Sequence, residues 1–338
     1  MSSSAPVIDV HAHGIVAAAM ELVQGEDAFR AAREREAELV GAASAARQAE
    51  MIQEIAPLLA DVERRVEAMD RAGVDIQLVS PSPAHYHDWA PATLARSVAR
   101  AVNEGIASLC AQRPDRLIGL GLAPLQHPDV AETALVEAVS ELGLRGVEIS
   151  TAAPGRELSD PDYEAFWARA EELGALVFIH PWGCSLGARL DRHYLFNVVG
   201  QPVETTVALS HVIFSGLLDR RPKLRILAAH GGGYLPFYPA RSDHAWRVRP
   251  EVSTPEHAPS SYLRRLYFDS LVHEPELLAA LVERVGADRV LMGSDFPFDM
   301  GNPDPVAHVH ATPGLDDAAR AAICGATAAE LLGLSASA

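Results

Sequence analysis

Short runs of apolar and β-branched residues recur along the chain, and longer stretches of Ala, Leu, Glu and Arg at helical spacing separate them. Eight such runs stand out: Val7–His11, Val74–Ser80, Leu117–Leu122, Arg145–Ser150, Ala175–His180, Leu224–His230, Leu266–Ser270 and Arg289–Asp295. Among the intervening segments, Pro91–Arg113, Pro128–Leu142, Pro161–Gly174 and Pro275–Val285 open on proline, which a first helical turn tolerates. Strand then helix, repeated eight times, predicts parallel strands joined by right-handed crossovers and closed into an α/β (β/α)8 TIM barrel. A doubly wound open sheet is the alternative. That fold carries a Gly-rich phosphate loop after its first strand, where this chain has His11-Ala12-His13.

Two interruptions break the rhythm. Residues 15–66 exceed a normal βα connection and are rich in Ala, Glu and Arg, which predicts a helical insertion over the barrel mouth. A second excursion, Trp182 to Leu218, mixes aromatic, Gly and Pro residues, and long loops at that face shape substrate sites or oligomer contacts. Residues 1–338 are expected to form a single domain, with residues 335–338 a frayed tail.

Composition narrows the classes. Hydrophobic residues make up 49% and charged residues 22%, as in a globular protein with a sizeable core. The formal net charge of −17 and the absence of a basic, aromatic-laced stripe argue against nucleic acid as a partner. Three scattered cysteines, Cys110, Cys184 and Cys324, fit a reducing cytoplasm, and Cys184 lies four residues after His180. Met1 to Ala5 lack a basic and an apolar region, and no run reaches the ~18 apolar residues of a membrane span, so no export or membrane role is expected.

Possible ligands and proton carriers fall at the carboxyl ends of four expected strands, where barrel enzymes place their chemistry. Strand one ends at His11 with His13 next, strand five at His180, strand six at His230 and strand eight at Asp295. A His-X-His pair puts both imidazoles on one side of a strand. With His180 and Asp295 they form a ligand set suited to one divalent metal, Zn2+ first, with Mn2+ or Fe2+ as substitutes. His230, in "LAAHGGGYLPF", is a fifth ligand or a general acid/base, and its titration near neutrality favours the second. The three glycines after it allow a substrate or backbone to approach closely. Arg241 is a candidate clamp for a substrate carboxylate or one end of a surface salt bridge. His85, Tyr86, His87 and Trp89, after strand two, line a pocket or pack a loop, and Trp182 and Phe298 join them as candidate ligand contacts.

These segments resemble the amidohydrolase-superfamily (amidohydrolase 2) decarboxylases related to 2-amino-3-carboxymuconate-6-semialdehyde decarboxylase. "IDVHAH", "VEAMDRAGVDIQLVS", "RLIGLGLAPLQ", "VFIHPWG", "GQPVETT", "AAHGGGYLPFYPARSDHAW" and "VLMGSDFPF" occur in the family's order from the first strand to the last. The resemblance implies one metal on His11, His13, His180 and Asp295, His230 as acid/base, and Arg241 on the substrate carboxylate across a homodimer interface. It also marks a departure. The semialdehyde decarboxylases carry a further arginine and an Asn-Cys-Trp-Asp-Pro-like stretch before the "MD…GV" segment, where this chain offers Arg47 without that motif. The expected activity is metal-dependent, non-oxidative decarboxylation of a small unsaturated or aromatic acid, semialdehyde- or hydroxybenzoate-type, with His230 or Asp295 moving the proton. The alternatives are a hydrolase or hydratase using the same ligands, and a non-catalytic metal scaffold.

Overall fold

Every expected apolar run forms a strand in the computed structural model of the chain, which describes residues 5–334. The tail expected at residues 335–338 lies outside the described residues. The strands are β1 (Ile8–Gly14), β2 (Ile76–Pro81), β3 (Leu117–Gly119), β4 (Gly121–Leu122), β5 (Gly146–Ile149), β6 (Ala152–Ala153), β7 (Arg156–Glu157), β8 (Leu176–Ile179), β9 (Arg225–Ala228), β10 (Tyr267–Asp269) and β11 (Val290–Leu291). Here β6 and β7 form a small antiparallel hairpin, and all other pairings are parallel.

The third run splits at Leu120 into β3, which pairs with β2, and β4, which pairs with β5, so one strand links two sheets. The ring closes where the Val10 amide donates to the Met292 carbonyl at 2.9 Å and Ala12 bridges Phe296. Eight parallel strands in a closed ring make the (β/α)8 barrel that the strand–helix rhythm predicts.

Alternation along the strands sorts residues into two cores. Leu78, Leu120, Leu176, Phe178, Leu227 and Leu291 fill the barrel interior, closed below by Ala328, Leu331 and Leu332 near the C-terminus. Val79, Val147, Val177, Ile179, Ile226 and Val290 face outward into the helical layer. The β1 strand breaks this alternation: Asp9 pairs with Gln77 and Ala12 with Val79, so β1 accommodates an extra residue between them. Ile8 and Val10 therefore fill the interior below, and His11 returns to it above, its ring 5.0 Å from Phe178.

Residues 15–66 are helical, as expected, with helices at Ala17–Val23, Asp27–Val40 and Ala42–Ala60. The helix Val62–Ala72 follows, capped by the Asp61 carboxylate on the Glu63 and Arg64 amides and ended by Gly73 in the left-handed region, φ 69°. It packs Val62, Val66 and Met69 into the outer core. Met51, Ile55 and Leu59 seat the preceding helix against Ile15 and Phe298, at the carboxyl ends of the strands.

Candidate metal centre

Interior positions at the carboxyl ends of β1, β8, β9 and β11 bring five donor side chains together. His11 Nε2 lies 3.2 Å from His13 Nε2 and 3.4 Å from Asp295 Oδ1, and His13 Nε2 lies 3.1 Å from the same oxygen. His230 Nε2 is 3.7 Å from Asp295 Oδ2. One donor atom each from His11, His180, His230 and Asp295 falls within 4.8 Å of all the others. His180 is buried, and neither of its ring nitrogens has a hydrogen-bond partner among the described residues. An imidazole in that position is costly unless something outside the chain takes its lone pair. The donor set fits a divalent cation: neutral imidazoles and one carboxylate around a common point.

Chain-distant groups aim these ligands. His11 Nδ1 donates to Asp269 Oδ2 at 2.6 Å, leaving Nε2 for the centre. The same carboxylate accepts from the amides of His230 and Gly231, both at 2.8 Å. His13 Nδ1 faces the Pro81 carbonyl and Ser80 Oγ at 3.2 Å, with Glu148 Oε2 at 3.8 Å. Tyr86 donates to Glu148 Oε1 at 2.6 Å. The fully buried Arg65 donates to Gln77 and to the carbonyl of His13, and stacks over Phe296 at 5.0 Å. Asp9 ties the first strand to the last through the Ser294 amide at 3.0 Å and hydroxyl at 2.6 Å, one residue before Asp295.

Backbone conformation completes the aim. His230 and Asp295 both sit in the left-handed region, at φ 55° and 60°, which costs about 1 kcal/mol or more for a residue with a side chain. Gly293, two residues before Asp295, passes so close to Asp269 and His11 that a Cβ would lie 2.9 Å from each. The glycines after His230 serve the protein's own packing. A Cβ at Gly231 would meet Val272 at 2.4 Å, at Gly232 Phe268 at 2.6 Å, and at Gly233 the Pro202 carbonyl at 2.2 Å. The close backbone approach expected for them is seen at Gly233, and at Gly231 and Gly232 the close neighbours are side chains.

Burial and mutual charge set the protonation of the cluster. Burial, followed by the neighbouring imidazoles, holds His180 well below the usual histidine range, which keeps it neutral. Burial opposes ionisation of Asp295, but the charge of His11 and the adjacent imidazoles of His13 and His230 outweigh it and hold the carboxyl well below its usual value. Burial likewise disfavours the charged form of His230, yet the Asp295 carboxylate 3.7 Å away raises its pKa. Both shifts favour the charged forms, a protonated His230 beside an ionised Asp295.

Above the cluster opens a cavity of about 450 Å3, whose floor is His180, His230 and Asp295. Trp182 and Phe298 line it, as expected, and Phe298 packs 5.4 Å from the His13 ring. The insertion helix contributes Arg47, Gln48 and Met51, so the insertion forms one wall. Arg47 is engaged by Glu54 at 3.1 and 3.2 Å. Tyr194, which carried no spacing signal, also lines it at φ 57°.

Three expected contacts lie elsewhere. His85 is buried with Nε2 accepting from the Val16 amide at 3.0 Å, and Tyr86 is held by Glu148; both border a separate chamber. Arg241 stands exposed on the helix Ala240–Val248, outside the cavity of its own chain. Asp269 and Glu148 lie one and two residues before the ends of expected strands seven and four, so a carboxylate search over the last three positions of every strand finds them.

The family model described as Amidohydrolase matches residues 8–334. The chain belongs to the amidohydrolase family. It is 34% identical over 276 residues to 2-amino-3-carboxymuconate-6-semialdehyde decarboxylase of Dictyostelium discoideum, covering 81% of this chain and 77% of that one. It is 30% identical over 257 residues to gamma-resorcylate decarboxylase of Rhizobium sp. (strain MTP-10005), covering 70% and 77%. Among solved structures, a dihydroxybenzoic acid decarboxylase from Polaromonas sp. JS666 with bound manganese and 2-nitroresorcinol superposes with a TM-score of 0.79 at 25% identity, covering 98% of this chain and 97% of that one. The resemblance seen in the sequence motifs is thereby borne out, and a divalent metal site accords with the family and with this neighbour.

Proposed function

We propose that this amidohydrolase is a metal-dependent carboxy-lyase that removes CO2, without oxidation, from a small aromatic or unsaturated carboxylic acid. The observation that carries the reading is the buried donor cluster on the floor of an open cavity, with neither nitrogen of His180 partnered among the described residues. The named relatives, decarboxylases of a muconate semialdehyde and of a dihydroxybenzoate, support the reaction class.

His11, His13, His180 and Asp295 would hold the metal, with Zn2+ favoured by the imidazole-rich set and Mn2+, present in the Polaromonas structure, or Fe2+ as substitutes. A bound metal supplies electrophilic stabilisation of substrate oxygen atoms as negative charge develops. Trp182 and Phe298 offer flat apolar walls to a ring. As the bond to the carboxyl carbon breaks, its electron pair stays on the substrate carbon, CO2 leaves, and His230 Nε2 delivers the replacing proton, with Asp295 holding the imidazolium. Solvent then reprotonates His230.

Arg241 would reach the substrate carboxylate of a neighbouring subunit. The helix that carries it buries none of its residues, and Tyr234, Tyr238 and Val248 around it are exposed, which supports a homodimer with this face inside. A single domain over residues 1–338, capped by the insertion 15–66, and a cytoplasmic setting, supported by three unpaired cysteines, belong to the same proposal. No helix among the described residues is long and apolar enough to cross a membrane.

The test is CO2 release from a panel of hydroxybenzoates and muconate-like acids by metal-loaded protein, before and after dialysis against a chelator. Release that vanishes with the metal and returns on its replacement supports the proposal. Ring opening or water addition without CO2 assigns the hydrolase or hydratase chemistry instead. Full activity in metal-free protein rejects the metal centre.

A further inference from the structure

Beside the metal cavity lies a second chamber of about 300 Å3 between the insertion and the loop after β2. The two share Arg33, Ala84, Trp182 and Phe196 as a common wall, in which Ala84 is the smallest side chain. Nothing in the proton chemistry at His230 uses this chamber, yet its lining has the character of a binding site. Phe29, His87 and Trp89 meet at ring separations of 5.6 to 6.5 Å on one side, and Trp182 stands edge-on to Phe196 at 6.3 Å on the other. Such walls select a flat apolar guest.

Two buried polar atoms specify that guest further. His85 Nε2 accepts the Val16 amide, so the ring proton resides on Nδ1, which has no acceptor among the described residues. His87 Nε2 is also buried without a partner. Burial keeps both rings neutral, so these two histidines offer a guest neutral hydrogen-bonding groups; the charged lining residues, Arg33, Arg35, Glu36 and Asp88, belong to the insertion and the loop after β2. A ring bearing a hydroxyl, carbonyl or ether oxygen satisfies them, whereas a plain hydrocarbon leaves the His85 N–H unpaired.

Resting on the decarboxylase reading above, we propose that the substrate is an extended acid: its carboxylated ring occupies the metal cavity and a second planar, oxygen-bearing ring passes Ala84 into the adjoining chamber. The site thereby selects linked two-ring acids over single-ring hydroxybenzoates.

The experiment compares kcat/KM of the metal-loaded enzyme for salicylate, 4- and 5-phenylsalicylate, and their hydroxyphenyl counterparts. Wild type is set beside Ala152→Phe, which places a ring in the chamber from the β6–β7 hairpin without touching the metal cavity lining. One two-ring isomer is expected to exceed salicylate by about tenfold or more, with the hydroxylated form best, and Ala152→Phe to remove that advantage. Two-ring acids no better than salicylate, or a preference that Ala152→Phe leaves intact, overturn the proposal. A phenyl advantage with no gain from the hydroxyl overturns the role given to His85 and His87. Should the variant fail to fold, the wild-type comparison decides alone. If none of the acids releases CO2, the reaction assignment fails, and calorimetric Kd values for the same acids still decide the chamber: two-ring acids binding about tenfold tighter than salicylate uphold it, and equal affinities end it.

Discussion

At the scale of single residues, the ligands and their supports differ in how they are written into the chain. The proposed ligands His11, His13, His180 and Asp295, which the structure brings together, stand out in the chain because they lie at or just past the ends of apolar runs, where position alone carries meaning. Asp269, Glu148 and Arg65 act on them across 258, 135 and 52 residues of chain, and no local spacing encodes such pairings. Glu148 is the sharpest case: buried, held by Tyr86 on one oxygen, and with the other oxygen facing His13 Nδ1. At 3.8 Å its free oxygen acts on the His13 ring through charge, while Pro81 and Ser80 make the hydrogen bonds to Nδ1. Glu148→Gln keeps the size and loses the charge, so metal affinity is expected to fall by about tenfold to a hundredfold in a competition titration against a chelator. Unchanged affinity would show that Pro81 and Ser80 suffice to orient the ring. His230→Ala addresses the proton instead. It should retain metal by elemental analysis while turnover falls by about a hundredfold or more, and loss of metal with activity would make His230 a fifth ligand.

At the scale of elements, the strand–helix rhythm was readable because each run is short, apolar and bounded, while the β1 bulge was not. A strict period of two places His11 and His13 with Asp9 on the outer face, and only the extra residue opposite β2 returns them to the interior beside Phe178. The insertion was visible as excess length, and its attachment was not. Leu59, fully buried with Met51 and Ile55 under Phe298, anchors the cap helix to the metal cavity, and its carbonyl accepts from the Ile15 amide at 3.3 Å. Leu59→Ala opens a void at that anchor, with a cost of about 2–5 kcal/mol. Because the contact joins a cap to a barrel, the expected result is local opening: hydrogen exchange accelerates across residues 42–60, KM rises, and the barrel strands stay protected. Uniform acceleration through the barrel would mean that the insertion and the barrel unfold as one unit.

At the scale of the whole molecule, two properties emerge that no element holds alone. Burial, then the charge of His87, pushes His85 down to about 3, and burial pushes His87 down to about 4. Both titrate near 6.5 in an unfolded chain. Above that pH neither state binds the proton, and the folded state keeps its full stability. As pH falls from about 6.5 toward 4, the unfolded chain takes up protons that the folded chain refuses, and stability drops by up to about 1.4 kcal/mol per pH unit for each ring. His85→Gln still offers an acceptor to the Val16 amide, so its Tm is expected to fall less steeply across that window than wild type. Parallel Tm profiles would place the acid sensitivity elsewhere. The second is the homodimer proposed above. Tyr238 and Val248 are 69% and 56% exposed, the helix Ala240–Val248 buries none of its residues, and the exposed Arg241 on it does not line the cavity of its own chain. A second copy packed on this surface would take these apolar side chains out of water. Light scattering on a sizing column should therefore give twice the 36.2 kDa chain mass, and Tyr238→Asp with Val248→Asp should return it to the single mass. The activity of that monomer separates two roles for Arg241. If the arginine serves the neighbouring subunit, the monomer keeps its metal and loses turnover as Arg241→Ala does; a fully active monomer would leave the arginine on the surface and hand the carboxylate to the groups that line the cavity within one chain.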